Sequence, residues 1–235
     1  MKAMHDNFFT ADITRIDRAE ALRYLAYGGS SPDERILSFM DKCEKKLLKA
    51  VKGKFTFRCF DISDISDNRV ILENCSLIMT GKDICSHLEG CAKAVLMCAT
   101  IGNDVDRLLR EEQVSDMAAA VITDAMASCA VEKVCDAAED TIRNEYPNMF
   151  MTWRFSAGYG DLPIDIQKQF LEVTNAGRAI GLFANESSIL IPRKSVTAVI
   201  GLSDMPIEKK RRGCAVCNLR ESCLFRKKGR RCTDE

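Results

Sequence analysis

Histidine is scarce in this 235-residue sequence, which contains only His5 and His87. Catalytic zinc sites commonly use histidine ligands, and Ser-His-Asp and Cys-His catalysis both need a histidine base. No glycine-rich phosphate loop of the Walker type is present, and no GxGxxG motif follows a predicted strand. These absences argue against the common hydrolases and nucleotide-binding enzymes. A pair of catalytic carboxylates stays open, because acidic residues occur along the whole chain.

Long apolar runs are also absent. No stretch approaches the roughly 18 apolar residues that a membrane-spanning helix needs, and no apolar segment of signal-peptide length follows the N-terminus. Lys+Arg and Asp+Glu are equal at 34 each, so the overall charge attracts neither nucleic acid nor an anionic membrane. We expect a cytoplasmic protein with no membrane partner.

The chain is long and apolar enough, at 46% hydrophobic residues, to bury the core of one large domain. We predict an α+β domain over residues 1–205, with a helical N-terminal part over residues 1–53. Near Ser203–Glu208, Met205-Pro206 leads into a charged tail, residues 206–235.

Strand periodicity first appears where Phe55, Phe57 and Cys59 alternate with polar residues. Further strands are predicted at 69–72, 76–79, 93–100, 187–191 and 194–202, and helices at 12–50, 83–90, 102–145 and 164–170. The segment Met117–Ala138 is rich in Ala, Ser and Cys. Small residues let another backbone approach closely, so this segment is predicted to be a central helix packed against the sheet.

The tail contains four of the twelve cysteines, with ten basic residues between Lys209 and Arg231 against one acid, Glu221. Four thiolates suit tetrahedral zinc or an iron–sulfur cluster, and cationic neighbours favour the thiolate form. The alternative is a basic tail with incidental cysteines. The predicted metal ligands are Cys214, Cys217, Cys223 and Cys232.

A second motif reads Arg154-x-Ser156-x-Gly158-Tyr159. Arginine is a fork-shaped partner for a carboxylate, and glycine frees the backbone to approach a ligand. An aromatic ring such as Tyr159 can stack on a base. The alternative is a glycine turn that closes onto the core, with Arg154 in a salt bridge.

A family likeness is carried by five segments: Ile16-Asp17 with Glu20–Leu25, Ala94–Gly102 with Val105-Asp106, Glu132-Lys133, Arg154–Tyr159, and Pro192–Ala198 with Ile200-Gly201. They resemble the reactivation domain of cobalamin-dependent methionine synthase, and more closely the stand-alone bacterial activation proteins. The likeness covers roughly residues 12–203. Together with the strand periodicity, it predicts a twisted, mostly antiparallel sheet flanked by helices.

The resemblance implies an accessory role in which S-adenosylmethionine remethylates the cob(I)alamin of a partner, either methionine synthase or another corrinoid protein. The electron donor would be a flavodoxin or ferredoxin. Arg154 would pair with the ligand carboxylate, Ser156 and Gly158 would supply backbone contacts, Tyr159 would line the pocket, and Glu132 would bind or balance the ligand ammonium.

The chain departs from the larger form of the family at several positions, including Tyr159-Gly160-Asp161 in place of a Tyr-Pro continuation. Phe155 and Ala157 stand where that form has prolines, and Val199–Leu202 lacks its aromatic pair. The missing aromatics keep one alternative open, a non-catalytic docking module. The cysteine tail, which the larger form lacks, keeps a second open, an iron–sulfur electron donor for a corrinoid protein. A zinc-tailed nucleic-acid binder is disfavoured, because the rest of the chain is net acidic. Whether the chain acts as an enzyme in its own right stays undecided.

Overall fold

The computed structural model describes residues 8–25 and 32–207. The strands of these residues are β1 Phe8–Ala11, β2 Gly53–Ser66, β3 Arg69–Leu72, β4 Ile78–Thr80, β5 Lys93–Thr100, β6 Phe150–Met151, β7 Phe183–Ala184, β8 Leu190–Ile191 and β9 Ser195–Ser203. The helices are α1 Arg18–Tyr24, α2 Glu34–Ala50, α3 Lys82–Leu88, α4 Asn103–Ser115, α5 Met117–Glu145, α6 Gln167–Val173 and α7 Ala176–Ile180, with a 3₁₀ turn at Ile164–Ile166.

The main sheet has the order β4-β3-β2-β5-β9-β6, and β1 pairs with the first half of β2. Its strand pairs are antiparallel. Strands β7 and β8 form a separate two-stranded sheet. The predicted α+β class, with an antiparallel sheet flanked by helices, is confirmed.

Strand β5 lies at the centre of this sheet, between β2 and β9. Val95, Met97 and Ala99 point into one apolar core, while Leu96 and Cys98 point into a second core on the opposite face. Side chains alternate between the faces of a strand, so a strand covered on both faces is apolar at nearly every position. This double burial explains why residues 93–100 read as one continuous apolar run.

Helix α5 packs across one face of the sheet against β2, β5 and β9, and it also contacts α1, α2 and α4. Asp116 begins the helix by accepting hydrogen bonds from Ala118 N and Ala119 N, each 3.1 Å long. Its alanines and cysteines form much of the first core, as predicted for a small-residue helix.

Strand β1 was not predicted from the sequence. It lies within the N-terminal part predicted to be helical, where the helices among the described residues are α1 and α2. Ala11 pairs with Gly53, where an added Cβ would lie 2.5 Å from the Ala11 carbonyl oxygen. Glycine at position 53 is therefore what allows β1 to approach β2.

Candidate functional site

The motif loop begins at the edge of the sheet, beside β9. Phe155 exchanges two backbone hydrogen bonds with Val199, at 3.0 and 2.8 Å. Thr152 also clamps this edge: its amide donates to the Gly201 carbonyl at 2.9 Å, and its hydroxyl accepts from Gly201 N at 2.7 Å. These bonds fix the backbone on both sides of Arg154.

Two tight turns follow. The Gly158 amide donates to Leu162 O at 2.9 Å, and the Tyr159 amide donates to Ser156 O at 3.0 Å. Gly158 and Gly160 have φ values of 87° and 54°, a region that costs other residues energy. The loop therefore needs its glycines, as the sequence motif predicted.

Asp161 ties the loop to the start of α3. Its carboxylate accepts from the Asp83 and Lys82 amides, at 3.0 and 2.7 Å. These hydrogen bonds lower the pKa of Asp161. The loop is thus held at one end by β9 and at the other by α3.

Aromatic rings pack beneath the loop. Phe155 is buried, and its ring centroid lies 5.0 Å from that of His87 and 5.3 Å from that of Trp153. Tyr159 meets Phe155 edge-on at 6.2 Å but keeps 55% of its surface exposed. The packed rings therefore support a tyrosine with free surface, the arrangement needed for an aromatic wall of a ligand site.

Arg154 extends from this loop to α5, where it meets three carboxylates. Its Nη2 lies 2.8 Å from Glu132 Oε2, while its Nη1 lies 3.0 Å from Asp136 Oδ1 and 3.2 Å from Glu139 Oε1. Burial disfavours the charged guanidinium, yet the neighbouring acidic groups, Cys135 first and then the three carboxylates, outweigh it and raise the pKa of Arg154. We call these four residues the Arg154 cluster.

The structure thus brings two predicted site residues, Glu132 and Arg154, into direct contact, and it places Ser156, Gly158 and Tyr159 in the adjoining turns. The salt bridge weighed as the alternative for Arg154 is present, and the predicted ligand roles of the five residues stay predictions.

Asp136 and Glu139 also belong to the site, but they were not predicted from the sequence. Their spacing of four and seven residues from Glu132 places all three on one helix face, which was the available signal.

A groove of about 350 Å³ lies along the N-terminal half of α5. Lys194 Nζ lies 3.0 Å from Asp124 Oδ1 and 2.9 Å from Ser128 Oγ, at one wall of this groove. Residues four apart share a helix face, so Glu132 continues the row of Asp124 and Ser128. The groove is lined by Tyr24, Leu25, Gln113, Met117, Ala120, Val121, Asp124, Ala125 and Ser128.

The predicted metal ligands lie in the tail, outside the described residues, so the metal site stays a prediction. Within residues 8–25 and 32–207, no group of three or more His, Cys, Asp or Glu side chains is arranged to hold a metal ion. Over the same residues, no helix is both long and apolar enough to span a membrane.

Comparisons with known proteins add one finding. No family model and no curated protein matches the chain. Among solved structures, the MetH reactivation domain bound to AdoHcy is similar, with a TM-score of 0.66 over 95% of this chain and 86% of that chain. The chain has the fold of the MetH reactivation domain. At 14% identity, the likeness establishes the fold, and the bound AdoHcy belongs to MetH.

Proposed function

We propose that this chain is a stand-alone accessory protein for reactivating a cobalamin-dependent methyltransferase, with methionine synthase as the first candidate. It would bind S-adenosylmethionine and a corrinoid partner, so that the partner's cob(I)alamin is remethylated. The observation that carries the proposal is the Glu132–Arg154 contact, located beside a glycine loop in the fold of a domain solved with AdoHcy.

The residues of the site match the chemistry of S-adenosylmethionine. Arg154 offers a guanidinium to the ligand carboxylate, and Glu132 offers a carboxylate to its ammonium. The turns of Ser156 and Gly158 offer backbone groups, and the exposed ring of Tyr159 offers a wall for the sulfonium or the base. With its amino-acid end bound in this way, the ligand can present its methyl group in line with an incoming nucleophile. Such alignment of the reacting atoms accelerates methyl transfer.

The partner supplies the reacting metal. The corrinoid would be the methyl acceptor: its cobalt(I) would supply the electron pair for a new cobalt–methyl bond as the methyl–sulfur bond breaks and S-adenosylhomocysteine leaves. The protein's contribution is to bind and orient the methyl donor, and to admit the partner to the site.

The groove on α5 supports a docking surface for that corrinoid protein. Tyr24, Met117 and Val121 border it, and each has about half or more of its surface exposed. Exposed apolar side chains grouped around a groove are typical of interaction sites. A partner bringing a methyl acceptor to Glu132 would cover this neighbouring groove, because both lie on one face of α5.

The tail supports a role in electron delivery. Four cysteines among basic residues would bind zinc or an iron–sulfur cluster, and a flavodoxin or ferredoxin would be the external donor. A brown protein after anaerobic purification would favour the electron-donor function, while a colourless protein with one zinc would indicate a structural tail.

The proposed function is tested by measuring methyl transfer to the partner's cobalamin. The partner's cobalamin is reduced under anaerobic conditions, S-adenosylmethionine is added, and remethylation is followed by visible absorbance with wild-type protein and with Arg154→Ala. We expect remethylation that depends on the wild-type protein and is lost in the variant. Equal rates with and without the protein would contradict the proposal, and partner binding without transfer would indicate the docking module.

A further inference from the structure

The segment that carries Arg154 contains one residue more than the strand with which it pairs. Met151 pairs with Leu202 of β9. Phe155 pairs with Val199, so four steps along this segment match three steps along β9. Such an extra residue is a β-bulge, which bends the chain and can turn a side chain to a new direction. Arg154 lies inside this bulged stretch.

The bulge decides which face of the sheet Arg154 reaches. Residues four apart on a regular strand share a face, because side chains alternate. Met151 nevertheless packs on the first core, while Phe155 belongs to the second core on the opposite face. In a regular register Arg154 would lie on the face opposite Met151, away from α5. One extra residue reverses the face, and Arg154 meets Glu132 on α5.

Thr152 holds the bulge against β9. The Gly201 amide donates to Thr152 Oγ1 at 2.7 Å, so a side-chain hydroxyl replaces the backbone carbonyl that a regular antiparallel pair would use. The Thr152 amide donates to the Gly201 carbonyl at 2.9 Å. A Cβ at Gly201 would lie 3.1 Å from Thr152 Cγ2 and 2.5 Å from Cys91 Sγ. Glycine at position 201 therefore allows this close approach.

His87, on α3, holds the bulge from the helix side. Its Nε2 lies 2.9 Å from Thr152 Oγ1, and one hydroxyl can serve this hydrogen bond and that of the Gly201 amide together. The imidazole is 8% exposed. Its ring centroid lies 4.6 Å from that of Trp153 and 5.0 Å from that of Phe155. The bulge is thus enclosed between α3 and β9.

We propose that His87 and Thr152 are positioning residues for ligand binding, an inference that rests on the proposed function. Their hydrogen bond keeps the extra residue in place, and the bulge keeps Arg154 turned towards α5. Both residues act through the backbone of the bulge rather than by contact with the ligand. Without their hydrogen bond the segment can relax towards a regular register, which turns Arg154 away from Glu132 and from the ligand carboxylate.

Ligand affinity, compared with the stability of each variant, tests this role. S-adenosylhomocysteine, which has no methyl group to transfer, is titrated calorimetrically into the full chain with its corrinoid partner. Thr152→Val keeps the side-chain shape but removes the hydroxyl, and His87→Phe keeps an aromatic ring but removes Nε2. Each change should weaken binding by about three- to tenfold, the range that corresponds to losing one neutral hydrogen bond.

Two further variants separate positioning from a general loss of stability. Thr152→Ser retains the hydroxyl and should restore the affinity of the wild type. Thr141→Val removes a hydroxyl that donates to Ala137 O at 2.8 Å on α5, away from the bulge. Urea unfolding should show that Thr141→Val lowers the free energy of unfolding, while its ligand affinity stays that of the wild type.

Failure of the inference can be told apart from failure of the proposed function. Wild-type protein that binds no S-adenosylhomocysteine, with or without the partner, overturns both. Wild-type binding that Thr152→Val and His87→Phe leave as strong as in Thr141→Val overturns the inference alone, because their hydrogen bond would then stabilise the fold without directing Arg154. Thr152→Ser protein that binds as weakly as Thr152→Val would overturn it too.

Discussion

Arg154 Nη2 lies 2.8 Å from Glu132 Oε2, although the two residues are 22 positions apart in the sequence. The contact joins the glycine loop at the sheet edge to the middle of α5. It is the link between the fold, which is shared with the MetH reactivation domain, and the ligand chemistry proposed for it.

Removing the Asp161 carboxylate should loosen the loop. Asp161→Ala deprives the Lys82 and Asp83 amides of their acceptor, so hydrogen exchange at residues 156–162 should accelerate at neutral pH. Asp165→Ala, at a nearby acid that does not cap α3, is the control. Equal protection in both variants would show that the anchor does not hold the loop.

The Asp161 carboxylate also predicts that the stability of the protein depends on pH. The folded state lowers the pKa of Asp161 below its ordinary value of 3.8. Its contribution to stability is therefore present above pH 3.8 and is lost as the pH falls through the folded pKa. Urea unfolding of wild type and Asp161→Ala should differ at pH 7 and converge near the folded pKa. A difference that stays constant across this range would contradict the assignment.

Gly160 should tolerate substitution less well than Gly90. Both have positive φ, 54° and 76°, so alanine costs roughly 1–2 kcal/mol at either position. At Gly160 the new Cβ would also lie 2.0 Å from Asp83 Oδ2, whereas at Gly90 nothing lies within 4 Å. Urea unfolding should show a larger loss of unfolding free energy for Gly160→Ala than for Gly90→Ala. Equal losses would show that Asp83 and α3 can move away from the new Cβ without a free-energy cost.

A charged substitution in the groove on α5 tests whether the corrinoid partner binds there. Met117 is 62% exposed and lines the groove, so Met117→Glu should preserve folding but weaken the complex with the corrinoid protein about tenfold or more, as desolvated charges do. Ile189→Glu, at a 55% exposed apolar residue after β7, is the control. Equal effects of both changes, measured by analytical ultracentrifugation, would remove the groove from the interface.

Much of the fold could be predicted because its signals are local. Strand β5 is apolar at successive positions, and β2 alternates, so both strands were visible from the sequence. The segment predicted at 187–191 shortens to Leu190–Ile191. Strand β1 has four residues and gains its stability from pairing with β2, so no local pattern revealed it.

The site could be predicted only in part. The glycine loop and its arginine have a motif, and Glu132 was found through the family resemblance. That Arg154 would reach α5, and meet Asp136 and Glu139 there, depends on how the loop pairs with the edge of β9. The groove draws Tyr24, Gln113 and Asp124 from three helices, and such a tertiary assembly leaves no mark on any one segment.

Calorimetric titration of S-adenosylmethionine into anaerobic protein, with and without a cobalamin-loaded partner domain, tests the central claim most directly. We predict binding that appears or tightens when the partner is present, and that Arg154→Ala abolishes. An absence of binding under both conditions, by a protein that still folds and still docks the partner, would contradict the claim and leave a docking or electron-donating role.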